Sequence, residues 1–179
     1  LYGANTDAFG FLESLREARP DWRADAGPAV ILGAGGAARA IVAGLQDAGA
    51  PEIRIANRTP ERSAAIRDEF GKPVRPVLWD RRADVLEDAA LVVNTTSLGM
   101  EGQPALDLDL AKLPVNAVVY DIVYVPLETP LLAAARARGN PAIDGLGMLL
   151  HQARPGFREW FGTDPVVDQP LRDHVLAAL

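Results

Sequence analysis

A short apolar run, Pro28-Ala29-Val30-Ile31-Leu32, breaks on Gly33-Ala34-Gly35-Gly36-Ala37-Ala38 and resumes with Ile41, Val42 and Leu45 at helical spacing. This is the pattern of strand, tight turn and helix. Gly33 permits the turn, Gly35 lets the main chain approach a diphosphate without a Cβ in the way, and Ala38 stands where helix and strand must pack closely. N–H groups exposed at the start of that helix, together with its dipole, make an anion site before any side chain is counted. Glycine turns of this kind also arise for backbone reasons alone. Here the preceding strand, the following helix and a second strand over residues 52–56 select a dinucleotide site over a purely structural turn.

Beyond Gly27 strand and helix alternate to the end of the 179 residues, which suffice for one domain with a substantial core. Strands are expected at 74–78, 90–94, 117–122 and 141–144, and helices at 80–87, 130–138, 145–161 and 169–179. Thr59 and Pro60 are expected to cap and open the helix that Gly71 closes, as Gly49 closes the one before. The strands are continuous apolar runs, such as Ala117-Val118-Val119-Tyr120, rather than alternating ones. That predicts an α/β fold, a doubly wound parallel sheet of about six strands with helices on both faces. Ahead of this unit, Ala8 to Ala18 has helical spacing until Pro20, and by spacing Asn5, Thr6 and Asp7 read as its cap.

The balance of charge narrows the ligands. A net charge of −6 without a Lys/Arg-rich block argues against a nucleic-acid surface, so an anionic ligand must be held by local donors. No apolar run is long enough to span a bilayer. The absence of cysteine excludes disulfides and thiol chemistry, and two scattered histidines make no transition-metal site. The sequence opens at Leu1-Tyr2-Gly3 without methionine, which suggests a piece of something longer.

A site for NAD usually carries Asp or Glu at the end of the second strand, where the carboxylate holds the ribose 2′-hydroxyl and repels a 2′-phosphate. The chain has Asn57-Arg58-Thr59 there, with Arg62 in the first turn of the next helix. A cation opposes the dipole in that turn, and a bound phosphate would relieve the placement. Glu61 works against this reading, and both arginines can also be solvated surface charges; the balance favours NADP.

Ligands of open α/β sheets sit beyond the carboxyl ends of the strands. Asn94-Thr95-Thr96-Ser97-Leu98-Gly99-Met100 is rich in small donors and is either an ordinary polar loop or a cofactor contact. Tyr124, in Tyr120-Asp121-Ile122-Val123-Tyr124, reads from composition as a packing residue. In Asp144-Gly145-Leu146-Gly147-Met148-Leu149-Leu150-His151-Gln152, Gln152 lies on the same helix face as Gly145. His151 is turned about 100° from that face and reads as a half-buried structural histidine. His174 is assigned no role.

Taken in order, these segments resemble the shikimate dehydrogenases over their NADP-binding portion, a Rossmann-type domain. The match runs through Asn5-Thr6-Asp7 with Gly10-Phe11, the glycine turn, Asn57-Arg58-Thr59 with Arg62, Asn94 to Met100, Tyr120 to Tyr124 with Thr129-Pro130-Leu131, and Asp144 to Leu149 with Gln152. The resemblance implies reversible reduction of 3-dehydroshikimate to shikimate by NADPH, a cytoplasmic step toward chorismate and aromatic amino acids. It implies that Asp7 binds substrate hydroxyls and takes part in proton transfer together with a lysine, and that Tyr124 and Gln152 reach the substrate. Gly33, Ala34, Gly35, Gly36, Ala37, Asn57, Arg58, Thr59, Arg62, Thr95, Thr96, Ile122 and Gly145 would contact NADP, the last two by main-chain groups near the nicotinamide. A homodimer is compatible with it.

The chemistry is consistent with those roles, because hydride arriving at a carbonyl carbon leaves charge on oxygen that a positioned acid must neutralise. An unassisted carboxylate is a poor acid at neutral pH, hence the lysine. In the family that lysine belongs to a substrate domain preceding the match to Asn5-Thr6-Asp7, and the lysines of this chain, Lys72 and Lys112, stand in no matching context. The expectation is a single NADP-binding domain over 1–179, with 1–20 as a linker helix and 145–179 as C-terminal helices, binding cofactor but nearly inactive alone. The alternatives are a quinate/shikimate dehydrogenase, for which an acid in place of Arg58 would be the sign of NAD, and a non-catalytic nucleotide-binding regulatory module.

Overall fold

A computed structural model of the chain describes residues 3–179. Six parallel strands form one sheet in the order β3-β2-β1-β4-β5-β6, the doubly wound arrangement whose strand order reverses at β1. They are β1 (Ala29–Leu32), β2 (Ile53–Asn57), β3 (Val74–Leu78), β4 (Leu91–Asn94), β5 (Val118–Asp121) and β6 (Ala142–Ile143). The helices are α1 (Asp7–Ala18), α2 (Gly36–Asp47), α3 (Pro60–Phe70), α4 (Pro130–Arg138), α5 (Leu146–Phe161) and α6 (Gln169–Leu176).

The three strands β1, β4 and β5 are buried along their whole length, while the edge strand β3 is buried only at Val74 and Val77. Alternate side chains of each central strand feed two separate cores. Ile31, Ile55, Val93 and Tyr120 meet Phe11, Leu15, Ile41, Leu45 and Ile66 of α1, α2 and α3. Val30, Leu32, Val92 and Val119 meet Leu131, Leu132 and Ala135 of α4, together with Leu86, Leu106 and Leu110 from irregular segments.

That second face differs from the sequence expectation. The helix foreseen at 80–87 is only a 3₁₀ turn, Trp79–Arg81, followed by further turns. Side chains have taken the carbonyls a helix would need. Arg82 stacks over Trp79 at 4.7 Å and donates to its carbonyl at 2.8 Å, and Arg54 donates to the Val85 carbonyl at 2.9 Å. The terminal helix is also shorter than foreseen, closing at Leu176.

Arg54 projects from β2 into this region and is 7% exposed. Its guanidinium donates to both carboxylate oxygens of Asp88, at 2.5 and 2.9 Å, and to Glu52 at 2.9 Å. Hydrogen bonds from Arg54 hold both carboxyls below their ordinary range. A carboxylate with a depressed folded pKa contributes stability above its unfolded value, near 4, and loses it as pH falls through the folded value. Asp88→Asn is therefore expected to cost about 1–2 kcal/mol at neutral pH, a figure reduced for the exposure of Asp88, and to flatten the loss of stability below about pH 4. Urea titrations at pH 7 and pH 3 check both effects; an unchanged pH slope would count against the pairing.

Candidate functional site: the crevice at the sheet reversal

β1 and β4 stay paired to their carboxyl ends, but the chain leaving β1 passes to α2 on one face of the sheet and the chain leaving β4 to the other face, which leaves a crevice at the point of reversal. Gly33 turns the chain there with φ +105°, and a Cβ on it would lie 2.7 Å from Thr95 Oγ1. Both its conformation and its surroundings demand glycine. Gly35 and Gly36 are different: they are exposed and would meet nothing within 4 Å. Gly35 is the N-cap of α2 and makes no side-chain cap, so the first N–H groups of that helix face open space. A groove runs from Ala34, Gly35 and Gly36 past Arg39 to Glu61, Arg62 and Ala65.

Arg58 and Arg62 are exposed, and neither makes an ion pair among the described residues, whereas Arg39 is paired with Glu69. Arg62 lines the groove; Arg58, at the neighbouring end of β2, lies outside its lining. Asn57 shapes the loop by donating to the Thr59 carbonyl at 2.8 Å. Thr59 occupies the N-cap position of α3 without a side-chain cap, contrary to the expectation for it; Ser63 donates back to the Pro60 carbonyl instead.

On the other side of the glycine turn lies an apolar cleft of about 370 Å³, lined by Thr95, Thr96, Ser97, Met100, Ile122, Val123, Tyr124 and Val125. Its volume is in the range of small-molecule sites. The two threonines are engaged in the framework. Thr95 donates to the Leu32 carbonyl at 2.7 Å and Thr96 to Asn94 Oδ1 at 2.7 Å. Tyr124 is exposed rather than packed in the core.

Beneath the cleft is a polar network without a counterpart in the sequence expectations. Asp121 is fully buried and accepts from Asn94 Nδ2 at 2.9 Å, Thr129 Oγ1 at 2.8 Å and the Val123 N–H at 3.1 Å. Burial raises its pKa, and the three donors oppose that rise. Asn94 also donates to the Leu98 carbonyl. The network thereby ties the loops after β4 and β5 to the start of α4. A sequence signal existed: Asn94 and Asp121 are polar residues ending two apolar strands, and they are register partners.

Gly145 is the buried N-cap of α5, and a Cβ there would fall on the Ile122 carbonyl; Ile122 lines the apolar cleft, and Gly145, outside that lining, supports this wall by backbone contact. Further along, α5 packs closely on α1. A Cβ on Gly10 would come within 2.6 Å of Gln152 Cβ, and one on Gly147 would strike Ser14 Oγ. Ser14 in turn accepts from the Tyr120 hydroxyl at 2.8 Å, whose pKa burial drives well above its ordinary value. Asp7 stands one turn before Gly10, which puts it and Gln152 on neighbouring turns of the two helices; no hydrogen bond joins them among the described residues. Asp7 is not itself a cap. Asn5 Oδ1 accepts the Asp7 N–H at 2.8 Å, and Thr6, at the N-cap position, makes no side-chain bond. His151 is more buried than foreseen, 5% exposed, and is hydrogen-bonded to Glu17 at 2.8 Å, a link between α5 and α1.

A family model described as shikimate / quinate 5-dehydrogenase matches residues 19–100. A protein from Paramagnetospirillum magneticum named shikimate dehydrogenase (NADP(+)) is 62% identical over 177 residues, covering 99% of this chain and 64% of that protein. A Rhodospirillum rubrum protein of the same name is 58% identical, covering 98% of this chain and 64% of its own length. Among solved structures, shikimate 5-dehydrogenase from Thermus thermophilus, in complex with NADP(H) and shikimate, superposes with a TM-score of 0.84 at 38% identity, over 99% of this chain and 64% of that one. Quinate dehydrogenase from Corynebacterium glutamicum, in complex with NAD, gives 0.88 at 34% identity, over 98% and 63%. The chain thus spans about 64% of the length of the curated relatives it matches. With these likenesses running nearly end to end over a doubly wound sheet and an open glycine turn, the chain belongs to the shikimate dehydrogenase family.

Proposed function

We propose that this chain is the NADP-binding part of a shikimate dehydrogenase, serving the reversible NADPH-linked reduction of 3-dehydroshikimate to shikimate. The observation that carries the cofactor reading is the open groove from the start of α2 to Arg62, beside two guanidiniums without ion-pair partners among the described residues and a β2 end without a carboxylate. The pyrophosphate would lie on the N–H groups at Gly35 and Gly36, and Arg62 with Arg58 would hold the 2′-phosphate. The nicotinamide would enter the apolar cleft against the Ile122–Gly145 wall. Thr95 and Thr96 would border it, while Tyr124 and Gln152 would reach the substrate.

Asp7 would bind a substrate hydroxyl and share in proton transfer at the oxygen whose carbon gains hydride. Asn5 takes over the Asp7 N–H, and among the described residues the Asp7 carboxylate accepts one long hydrogen bond, from Asn5 Nδ2 at 3.4 Å, which a substrate hydroxyl would displace in this role. Lys112 is engaged with Asp84 at 3.2 Å, and Lys72 leads into β3. Neither serves Asp7, so full turnover requires a proton partner from elsewhere. A second reading, an NAD-linked quinate dehydrogenase, finds support in Glu61, whose position in the same groove suits a ribose hydroxyl.

Calorimetric titration of the chain with NADP and with NAD separates the two. NADP is expected to bind more tightly, and Arg58→Ala to remove most of the difference, since a charge-assisted bond to phosphate contributes about 1.5–3 kcal/mol. Equal affinities in the unaltered chain, or tighter NAD, would reject the NADP reading.

A further inference from the structure

The C-terminal helix α6 buries no residue of its own, yet it sends one side chain into the body of the protein. Arg172 Nη2 donates to Asp144 Oδ2 at 2.5 Å, and both side chains are largely covered. Among the described residues, this is the one hydrogen-bonded link between residues 168–179 and the rest of the chain. The other oxygen of Asp144 accepts the Leu146 N–H at 3.0 Å, at the first turn of α5. Between them sits Gly145, whose N–H donates to the Val123 carbonyl at 3.1 Å and whose Cα lies hard against the Ile122 carbonyl. Asp144 is therefore held by both oxygens, one on each side of the wall residue.

We propose that Arg172 is a positioning residue for the nicotinamide end of the cofactor crevice, acting through Asp144 on the Gly145–Ile122 wall. The inference rests on the NADP reading above. A carboxylate held at one oxygen only is free to rotate about its χ angles, and the loop it caps is then fixed less tightly. With Arg172 bound, both oxygens are committed and the start of α5 has one position. Neither Arg172 nor Asp144 lines the groove from the glycine turn to Arg62, so the influence of the pair falls on the other end of the ligand.

That confinement gives the test. NADP and adenosine 2′,5′-bisphosphate, which keeps the ribose phosphates but lacks the nicotinamide, are titrated calorimetrically into the chain and into Arg172→Met. NADP affinity is expected to fall about tenfold while affinity for the fragment stays unchanged, with Arg172→Lys restoring most of the loss. A parallel fall for both ligands, or no fall for NADP, overturns the proposal. Should Arg172→Met fail to fold, Asp144→Asn, which keeps an oxygen for Leu146 and loses the ion pair, is judged by the same two ratios. An unaltered chain that binds the fragment but not NADP overturns both this proposal and the NADP reading, whereas loss confined to the variants' NADP affinity upholds both.

Discussion

Gly35→Val is expected to leave the fold intact and to lower NADP affinity by at least about 100-fold, because two main-chain bonds to phosphate at about 1.5–3 kcal/mol each would be lost. Gly35 has φ −93° and ψ −165°, extended backbone that valine adopts readily. Nothing lies within 4 Å of the Cβ position and Gly35 is exposed, so the added side chain starts into open space in the unliganded chain. It would, however, fill the space in front of the first N–H groups of α2. Calorimetry with NADP, alongside thermal unfolding, separates the two properties. An unfolding midpoint within a few degrees of the original and no measurable binding is the expected pair, whereas retained affinity would mean that the pyrophosphate lies somewhere else.

Gly145→Ala should act through the opposite route, by stability first and binding second. The added methyl would be driven onto the Ile122 carbonyl, and neither neighbour has room to yield. Ile122 is tied by its own N–H to the Asn94 carbonyl at 3.1 Å, and Gly145 by its N–H to Val123 at 3.1 Å. Overpacking costs about 1–3 kcal/mol where the surroundings can give. Here the obstacle is backbone anchored to the sheet, so a loss of about 3 kcal/mol is expected, with a melting temperature about 6–12 °C lower for a chain of this size. Differential scanning calorimetry reads it directly. A midpoint within about 2 °C of the original would show that the α5 start and the β5 end move apart freely, and the wall assigned to the nicotinamide would lose its basis.

The contrast between these two glycines shows where sequence reading stops. Both stand at a strand-to-helix junction, and Gly35 was legible because it falls in a turn whose spacing has a known purpose. Gly145 took its place from resemblance alone; nothing in its neighbours shows that Ile122, twenty-three positions earlier, occupies the space its Cβ would need. The same holds for Gly10 and Gly147, whose lack of a side chain lets α1 and α5 approach and so sets the separation of Asp7 and Gln152. The segment at 80–87 misled for a related reason. Its local pattern is helical, but Arg54 and Arg82 claim the carbonyls that the helix would have used. One of those arginines comes from a strand more than thirty residues away.

What the sequence by itself determined is the succession of elements, the parallel sheet, the glycine turn and the identity of the groups at the end of β2, because each depends on periodicity or on residues within one turn of one another. Only the tertiary structure decided which of these groups are free. Among the described residues Arg58 and Arg62 have no ion-pair partner while Arg39 has one, Asp121 is buried beneath three donors, and Arg172 reaches across to Asp144. Partnership of that kind is settled by distances between residues far apart in the chain, and no local pattern encodes it.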